Sequence, residues 1–319
     1  MSVFGRALCI AAAAGTAAAS ISAQDESSRM QDESSRMMVL GAGDTIAITM
    51  AGAGPAVVMV PGLLGSAYGF RHVIASLVAT GHRVIVVDPL GTGASSRPER
   101  ADYTLEAQAL RVLHAMDSTG VTSATLVCHS VGGSICYRLA LRVPERVEGI
   151  VAINAGPDEH AATSGLRRAL KFTPLIRLLG SGSMRGRLRD GLIDSSADPS
   201  WVTEEVVQAY TAPFGDLGRA LRGLRGMAAA REPVALLPRL DDLSVPVVLL
   251  VGRGGNDDAM SAETLALLEQ HVNRLTIRRV AGAGQYIQEE DPQAVVEAVR
   301  MLRGTDARGN LRNGINRGD

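Results

Sequence analysis

One short turn constrains the fold of this chain more than any other segment. The run Cys128-His129-Ser130-Val131-Gly132-Gly133 follows the apolar, β-branched stretch Ala124–Val127 and precedes a helical pattern at Ile135–Leu141. A serine held between small residues at a strand-to-helix turn is typical of a nucleophile, because the tight turn lifts the hydroxyl above the sheet. The helix that starts there also directs free N–H groups at negative charge on a bound molecule. A plain strand–turn–helix unit is the alternative interpretation.

Two further motifs lie before this turn at ordered separations. Val57–Gly62 is an apolar run that ends in Pro-Gly, and Val84–Ser95 is a second apolar run followed by Asp-Pro-Leu-Gly-Thr-Gly-Ala-Ser. With the serine turn, they make the chain resemble the α/β-hydrolase family from about Leu40 to about Arg303. The resemblance implies a mostly parallel eight-stranded sheet with helices on both faces and a helical cap, with Ser130 on the nucleophile elbow.

The resemblance also implies an oxyanion hole built from two backbone N–H groups. One belongs to Val131, the residue after the nucleophile, and the other to Leu63, in the loop after the third strand. The family usually has His-Gly where this chain has Pro61-Gly62. Because both donors are backbone groups, this substitution does not remove them.

The position of the family's catalytic histidine is occupied by glutamine. After the last predicted strand the family has a Gly-x-Gly-His turn, and this chain has Gly282-Ala283-Gly284-Gln285. A carboxamide can hydrogen-bond to a hydroxyl, but it has no nitrogen that takes a proton near neutral pH. The resemblance therefore implies a triad that lacks its base.

The acid of the triad is displaced as well. The family usually has Gly-x-x-Asp after the strand Pro246–Gly252, and counting from that strand arrives at Gly255. Counting back from Ser261, the expected cap of the next helix, arrives at Asp257. A two-residue insertion reconciles the counts, with Asp257 as the candidate acid and Asp258 as the second choice. The alternative is that both carboxylates solvate a turn.

A base could also have moved elsewhere in the chain. In this family some members carry their acid after the sixth strand, where this chain continues from Asn154 to His160. His160 is the candidate relocated base, oriented by Asp158 or Asp257, and the alternative is a polar residue that opens the cap. His129 is expected to point into the sheet, away from the substrate. No histidine pair has metal-ligand spacing with a third partner, so we expect no metal and no cofactor.

The order of apolar runs divides the chain into a core and a cap. Residues 38–155 and 234–303 alternate strand and helix patterns, and residues 156–233 have helical patterns alone, as expected of a cap. The predicted strands are Met38–Leu40, Thr45–Met50, Ala56–Val60, Arg83–Val87, Ala124–Cys128, Gly149–Asn154, Val245–Val251 and Leu275–Val280.

The two ends differ from this core. Residues 1–23 have a positive flank, an alanine-rich apolar segment and a small-residue cleavage site, which predicts an export signal and a periplasmic or secreted protein. Residues 24–37 are two copies of a polar seven-residue unit, which predicts a disordered spacer. Residues 304–319 predict a flexible tail. Cys128 and Cys136 are expected to be small buried residues, since two cysteines make a disulfide framework improbable.

The charge of the chain and its distribution indicate which classes of partner to expect. The net charge of −1 over 319 residues argues against a nucleic-acid surface. The stretch Leu166–Arg189 is basic without one acid, which fits either a solvated cap face or contact with an anionic substrate or lipid surface. Two functions remain: a serine hydrolase acting on a small ester or related acyl compound, and a non-catalytic member of the family that binds a small ligand.

Overall fold

The computed structural model describes residues 34–40, 44–160, 167, 170, 185–254 and 257–304, with residues 254, 257 and 258 described by their backbone alone. The strands are β1 (Ser34–Val39), β2 (Thr45–Ala51), β3 (Ala56–Val60), β4 (Arg83–Val87), β5 (Ala124–His129), β6 (Val147–Ile153), β7 (Val247–Gly254), β8 (Asp257–Asp258) and β9 (Leu275–Ala281). The α-helices are α1 (Arg71–Ala79), α2 (Leu105–Ser118), α3 (Val131–Arg142), α4 (Glu204–Thr211), α5 (Leu217–Ala229), α6 (Ala262–His271), α7 (Ile287–Glu290) and α8 (Pro292–Gly304). Residues 185–194 are also helical. Short 3₁₀ turns span Ala67–Phe70, Pro144–Arg146, Pro199–Trp201, Ala212–Phe214 and Leu237–Asp242.

The strands form one twisted, mostly parallel sheet. Its order is β1-β2-β4-β3-β5-β6-β7, and β7 pairs with both β9 and the short β8. The pairs β1–β2, β2–β4 and β7–β8 are antiparallel, and the remaining pairs are parallel. Strand β5 lies in the middle, so the turn after it opens at the carboxyl edge of the sheet, where α/β folds place their sites.

Helices cover both faces of the sheet, because its central strands are apolar on both sides. Helices α1 and α8 pack on one face around Leu77, Val295 and Val299, all fully buried. Helices α2, α3 and α6 pack on the other face, where α2 and α3 contact each other. Thr104 caps the N-terminus of α2, since its side chain accepts a hydrogen bond from the Ala107 N–H.

The fold predicted from the sequence is confirmed, and two details differ. All eight predicted strands are present, with ends that differ by a few residues. Strand β1 begins at Ser34, inside the second copy of the repeat that was expected to be a spacer, because residues 34–39 pair along β2. Strand β8 was not predicted, because a strand of two residues is too short to show the alternation of apolar and polar residues. The predicted export signal at residues 1–23 and the predicted tail beyond Gly304 lie outside the described residues.

Residues from both ends of the cap form ion pairs with one buried arginine of the core. Arg138 on α3 is fully buried, its Nη2 lies 2.8 Å from Glu159 Oε2 and its Nε lies 3.4 Å from Glu232 Oε2. Glu159 also accepts from the Leu236 N–H, and Glu232 accepts from the Leu105 N–H at the start of α2. This Arg138 clamp joins residues near the two ends of the predicted cap to two core helices.

No helix among the described residues has both the length and the apolar surface to cross a membrane. Most of the basic stretch Leu166–Arg189 lies outside the described residues. Arg185, at its described end, pairs with Glu204 at the start of α4. That pair is exposed, so it contributes little to stability.

Candidate active site

Ser130 occupies the sharp turn between β5 and α3. Its φ is 51°, in the left-handed region, and its N–H donates to the Ile153 carbonyl at 2.9 Å. A Cβ atom added at Gly132 would lie 2.4 Å from the Val60 oxygen, and one added at Gly133 would lie 2.4 Å from Ala155 Cβ. Both positions therefore require glycine, and the turn is held against two neighbouring strands. A non-glycine residue at positive φ is uncommon and marks a backbone held by its surroundings.

The predicted oxyanion donors flank this serine. Val131 is the first residue of α3, so its N–H has no partner within the helix. Neither Val131 N–H nor Leu63 N–H donates to another described backbone group. Leu63 and Val131 line the same cavity as Ser130. Two free donors beside one hydroxyl are what an oxyanion hole needs.

A disulfide bond joins Cys128 to Cys136, so the expectation of two unpaired cysteines is wrong. Cys128 ends the apolar part of β5, and Cys136 lies in the second turn of α3. Both residues are fully buried. Their separation of eight residues gave no sign of the bond, since it depends on how the turn folds α3 back over β5. The bond fastens the strand before Ser130 to the helix after it.

The Ser130 cavity is a partly open pocket of about 260 Å³. Its lining residues, none of them acidic, lysine or arginine, are Pro61, Gly62, Leu63, Leu64, Gly65, Ser66, Gly69, Phe70, His129, Ser130, Val131, Tyr210, Gln285, Tyr286 and Gln288. Tyr210 comes from the cap, and the others come from the core. Among the described residues no fixed charge faces this space, so these residues offer a charged ligand no counterion.

His129 lies on the wall of this cavity, whereas the sequence predicted that it would point away from it. Its Nε2 lies 3.0 Å from the Gln285 carbonyl oxygen, so Nε2 carries the proton and Nδ1 does not. Burial lowers the pKa of His129 to about 4, and the Gln285 carbonyl raises it slightly in opposition. At neutral pH the ring is uncharged and a weak base. Its ring also contacts Tyr286, with centroids 5.5 Å apart.

Gln285 is placed at the cavity as the family position predicts. Its N–H donates to Ser195 in the cap at 2.8 Å, and its side-chain nitrogen lies 3.5 Å from His129 Nε2. The side chain of Asn154 holds the same loop, donating to the Gly284 and Gln285 carbonyls at 3.0 and 3.1 Å. The loop is thus held by several hydrogen bonds, and the Gln285 side chain that it carries cannot act as a base.

Asn154 is a site residue whose role the sequence did not reveal. It lies directly after β6, where some members of the family carry their acid, and its φ is 43°. Its Oδ1 accepts from the Gly252 N–H at 2.9 Å, so one amide links β6, β7 and the Gln285 loop. Asparagine tolerates positive φ, so an asparagine directly after a strand was the sequence signal that could have indicated this conformation. An amide cannot supply the negative charge of a triad acid.

Asp257 and Asp258 form β8, which folds back on the end of β7 and pairs Asp257 with Gly254. This places the backbone of the candidate acid at the carboxyl edge of the sheet, the edge that also carries Ser130. The side chains of both aspartates lie outside the described part of the structure. Asp257 as the acid therefore stays a prediction.

His160 does not line the Ser130 cavity. It lies at the start of the cap, next to the Arg138 clamp, where its charged neighbours include Arg167, Arg231 and Glu232. Burial and then the two arginines lower its pKa. Its Nδ1 is buried and has no hydrogen-bond partner within the described part of the chain. The structure therefore does not support His160 as a base for Ser130.

A larger cavity of about 470 Å³ lies between β1, β2 and the cap, and it shares Ser66 with the Ser130 cavity. Its buried carboxylate is Asp88, which already accepts from the Ala67 and Ala94 N–H groups, both at 2.9 Å. Burial raises the pKa of Asp88 to about 6. Because both oxygens have backbone partners, Asp88 acts as a support for the loop after β4. Among the described residues, no group of three His, Cys, Asp or Glu side chains could hold a metal ion.

Comparison with known proteins agrees with this geometry. Residues 55–292 match the model of a family described as the alpha/beta hydrolase fold. The magnesium-chelatase 30 kDa subunit of Rhodobacter capsulatus is 32% identical over 248 residues, which cover 74% of this chain and 82% of that protein. A cis-3-alkyl-4-alkyloxetan-2-one decarboxylase of Shewanella oneidensis is 27% identical over 266 residues, which cover 78% of this chain and 82% of the relative.

Solved structures show the same fold. The crystal structure of Cfl2 from Burkholderia cenocepacia has a TM-score of 0.71 and 24% identity, covering 86% of this chain and 96% of that one. At this identity the similarity shows the architecture alone. The printed names of the relatives do not agree on one reaction.

Proposed function

Since the chain belongs to the α/β hydrolase fold family, we propose that it is an exported serine hydrolase that acts on a small, neutral ester or related acyl compound. Ser130 is the nucleophile, and the Leu63 and Val131 N–H groups hold the oxyanion. The observation that carries the proposal is the Ser130 turn, with its φ of 51° next to two N–H groups that have no backbone partner among the described residues. A strained turn of this kind is kept only where its surroundings determine it.

The Ser130 cavity supports the substrate class. Its volume of about 260 Å³ admits a small acyl group, and the described residues that line it carry no fixed charge. An acyl transfer builds negative charge on the carbonyl oxygen, and donors placed in advance stabilise that charge most effectively where water is excluded. A neutral carbonyl compound fits both properties.

Turnover is expected to be slow, because the triad is degenerate. Gln285 replaces the base, and His129, with a pKa of about 4, is too weak a base to replace it. Enzymes of this type that lose a triad member still accelerate hydrolysis by roughly a thousandfold over water through the oxyanion hole and binding. We propose Asp257 as the acid that remains.

Export is supported by two features. Residues 1–23 have the pattern of a signal peptide. The buried Cys128–Cys136 disulfide is a bond that persists in oxidising compartments and is rare in the reducing cytosol.

The second candidate function is a non-catalytic member of the family that binds a small neutral ligand in the same cavity. The observation that favours it is Gln285, which keeps the shape of the catalytic loop and removes its chemistry. Under this candidate Ser130 would be an ordinary serine in a tight turn.

A serine-directed fluorophosphonate separates the two candidates. We expect the purified full chain to be labelled on Ser130 and Ser130→Ala to lose the label completely. Ser66→Ala is the matched control, since Ser66 lines the same cavity and its side chain caps no helix. This variant should be labelled like the unmodified protein. Labelling no faster than that of the heat-denatured protein would contradict the hydrolase.

A further inference from the structure

One hydroxyl group on the wall of the Ser130 cavity takes no part in holding the site together. Tyr286 directly follows Gln285, is half-buried and lines the cavity. Its ring contacts the rings of His129 and Trp201, in both cases with centroids 5.5 Å apart. Its hydroxyl has no hydrogen-bond partner among the described residues, and it is not one of the enclosed polar groups that lack a partner. The hydroxyl therefore remains accessible, on a residue that lines the cavity.

Tyr210, the tyrosine that the cap contributes to the same wall, differs in this respect. Its hydroxyl donates to the carboxylate of Glu289 at 2.8 Å. In the core, the hydroxyls of Tyr103 and Tyr137 donate to backbone carbonyls at 2.7 and 3.3 Å. Buried tyrosines usually find such a partner. Of the two tyrosines that line the cavity, Tyr286 is thus the one whose proton is available to a bound molecule.

Tyr286 keeps its proton at neutral pH. Burial, and then the negative charge of Glu289, raise its pKa to about 12. A phenol in this state donates a hydrogen bond and gives up its proton only to a strong base. The alkoxide that leaves a tetrahedral intermediate is such a base. Tyr286 therefore cannot act as the missing base for Ser130, and the chemistry open to it is that of an acid.

The place of Tyr286 in the chain agrees with that chemistry. In a serine hydrolase with a complete triad, the histidine first takes the proton of the serine and then gives it to the leaving group. Gln285 occupies the position of that histidine and can do neither. Tyr286, the next residue in the loop, lines the same cavity and carries a proton that can be given to a leaving group.

We propose that Tyr286 is a catalytic acid that protonates the leaving-group oxygen when the tetrahedral intermediate collapses. As the Ser130 oxygen attacks the carbonyl carbon, its proton goes to water. The bond between that carbon and the leaving oxygen then breaks, the leaving oxygen takes the Tyr286 proton, and the protonated water returns a proton to the tyrosinate. Because it adds a residue to the same reaction, this role rests on the proposed function.

Two esters with the same acyl group and different leaving groups test this role. p-Nitrophenyl butyrate releases an anion that is stable at neutral pH and needs no acid, whereas ethyl butyrate releases ethoxide, which needs one. Tyr286→Phe keeps the ring and removes the proton. With the full chain, we expect kcat/KM for ethyl butyrate to fall by at least about tenfold and kcat/KM for p-nitrophenyl butyrate to stay within about twofold.

Tyr68→Phe is the matched control, because Tyr68 lines the larger neighbouring cavity and does not line the Ser130 cavity. Removing its hydroxyl should leave kcat/KM for both esters within about twofold. Circular dichroism should show that both variants are folded. A second measurement needs no variant. In the unmodified protein, D2O should slow the hydrolysis of ethyl butyrate more than that of p-nitrophenyl butyrate, because a proton moves to the leaving group of the ethyl ester alone.

The outcomes separate this role from the proposed function. An equal loss on both esters in folded Tyr286→Phe, no loss on ethyl butyrate, or equal slowing of the two esters in D2O would overturn the role of Tyr286 and leave the hydrolase intact. Hydrolysis of p-nitrophenyl butyrate alone, dependent on Ser130, would have the same meaning. If Ser130→Ala hydrolyses both esters as fast as the unmodified protein, the hydrolase and the role of Tyr286 are both overturned.

Discussion

The two sides of the Ser130 cavity are equally well held but present different chemistry. On the elbow side, Ser130 and its two N–H donors are held by glycine contacts, by strand pairing and by the Cys128–Cys136 bond. On the opposite side, the loop that carries Gln285 is equally well fastened, by Asn154 and by Ser195, but its side chain has no catalytic chemistry. The loop that would carry the base under the proposed function is in place, and its side chain is an amide that takes no proton near neutral pH.

The two sides differ in how strongly their chemistry depends on the identity of individual side chains. The oxyanion side depends on backbone groups, which survive many substitutions as long as the turn forms. The proton-transfer side depends on a single ring nitrogen, which one substitution removes. A member of this family can therefore lose its general base while nearly every contact around it persists.

The largest expected effect comes from supplying the missing group. Gln285→His should raise ester hydrolysis by about 10²–10⁴-fold, the usual contribution of a general base. The rate should also gain a limb that rises through a pKa near neutrality, which measurement of kcat/KM against pH would detect. The double variant with Ser130→Ala is the control and should show neither gain. A folded Gln285→His protein without a gain would mean that the acid is absent as well.

The next effect concerns His129, which connects the two sides through its bond to Gln285. Its pKa is about 4 in the folded protein and 6.5 ordinarily, so protonation favours the unfolded chain. The stability it contributes is complete above pH 6.5 and is lost as the pH falls from 6.5 towards 4, by about 3 kcal/mol. Urea unfolding of the unmodified protein and of His129→Gln should show the difference between them shrinking by this amount. A free-energy difference that stays constant with pH for His129→Gln would mean that the ring is not buried next to Gln285.

The smallest expected effect is that of His160. Because it lies at the Arg138 clamp and does not line the cavity, His160→Ala should change the rate of fluorophosphonate labelling by less than about twofold. Circular dichroism should confirm that the variant is folded. A large loss of labelling, together with loss of a neutral pH limb, would instead establish His160 as the relocated base.

The sequence predicted the parts of the site that follow from local pattern. Strand β5, the turn at Ser130 and the position of Gln285 could be read from motifs of a few residues at regular separations. It did not reveal the Cys128–Cys136 bond or the links made by Asn154, since these depend on distances across the fold. Strand β8 was missed for a different reason, because two residues are too few to carry a pattern.

The Arg138 clamp has a consequence for how this protein could be rebuilt. Glu159 and Glu232 stand at the entry and exit of the cap, and both meet one arginine that belongs to the core. The cap segment between these two glutamates is therefore attached to the core at both of its ends. Caps of other lengths could be grafted between these two glutamates to change the substrate preference. Ser130 and its two N–H donors would stay in place, because they belong to the unaltered core.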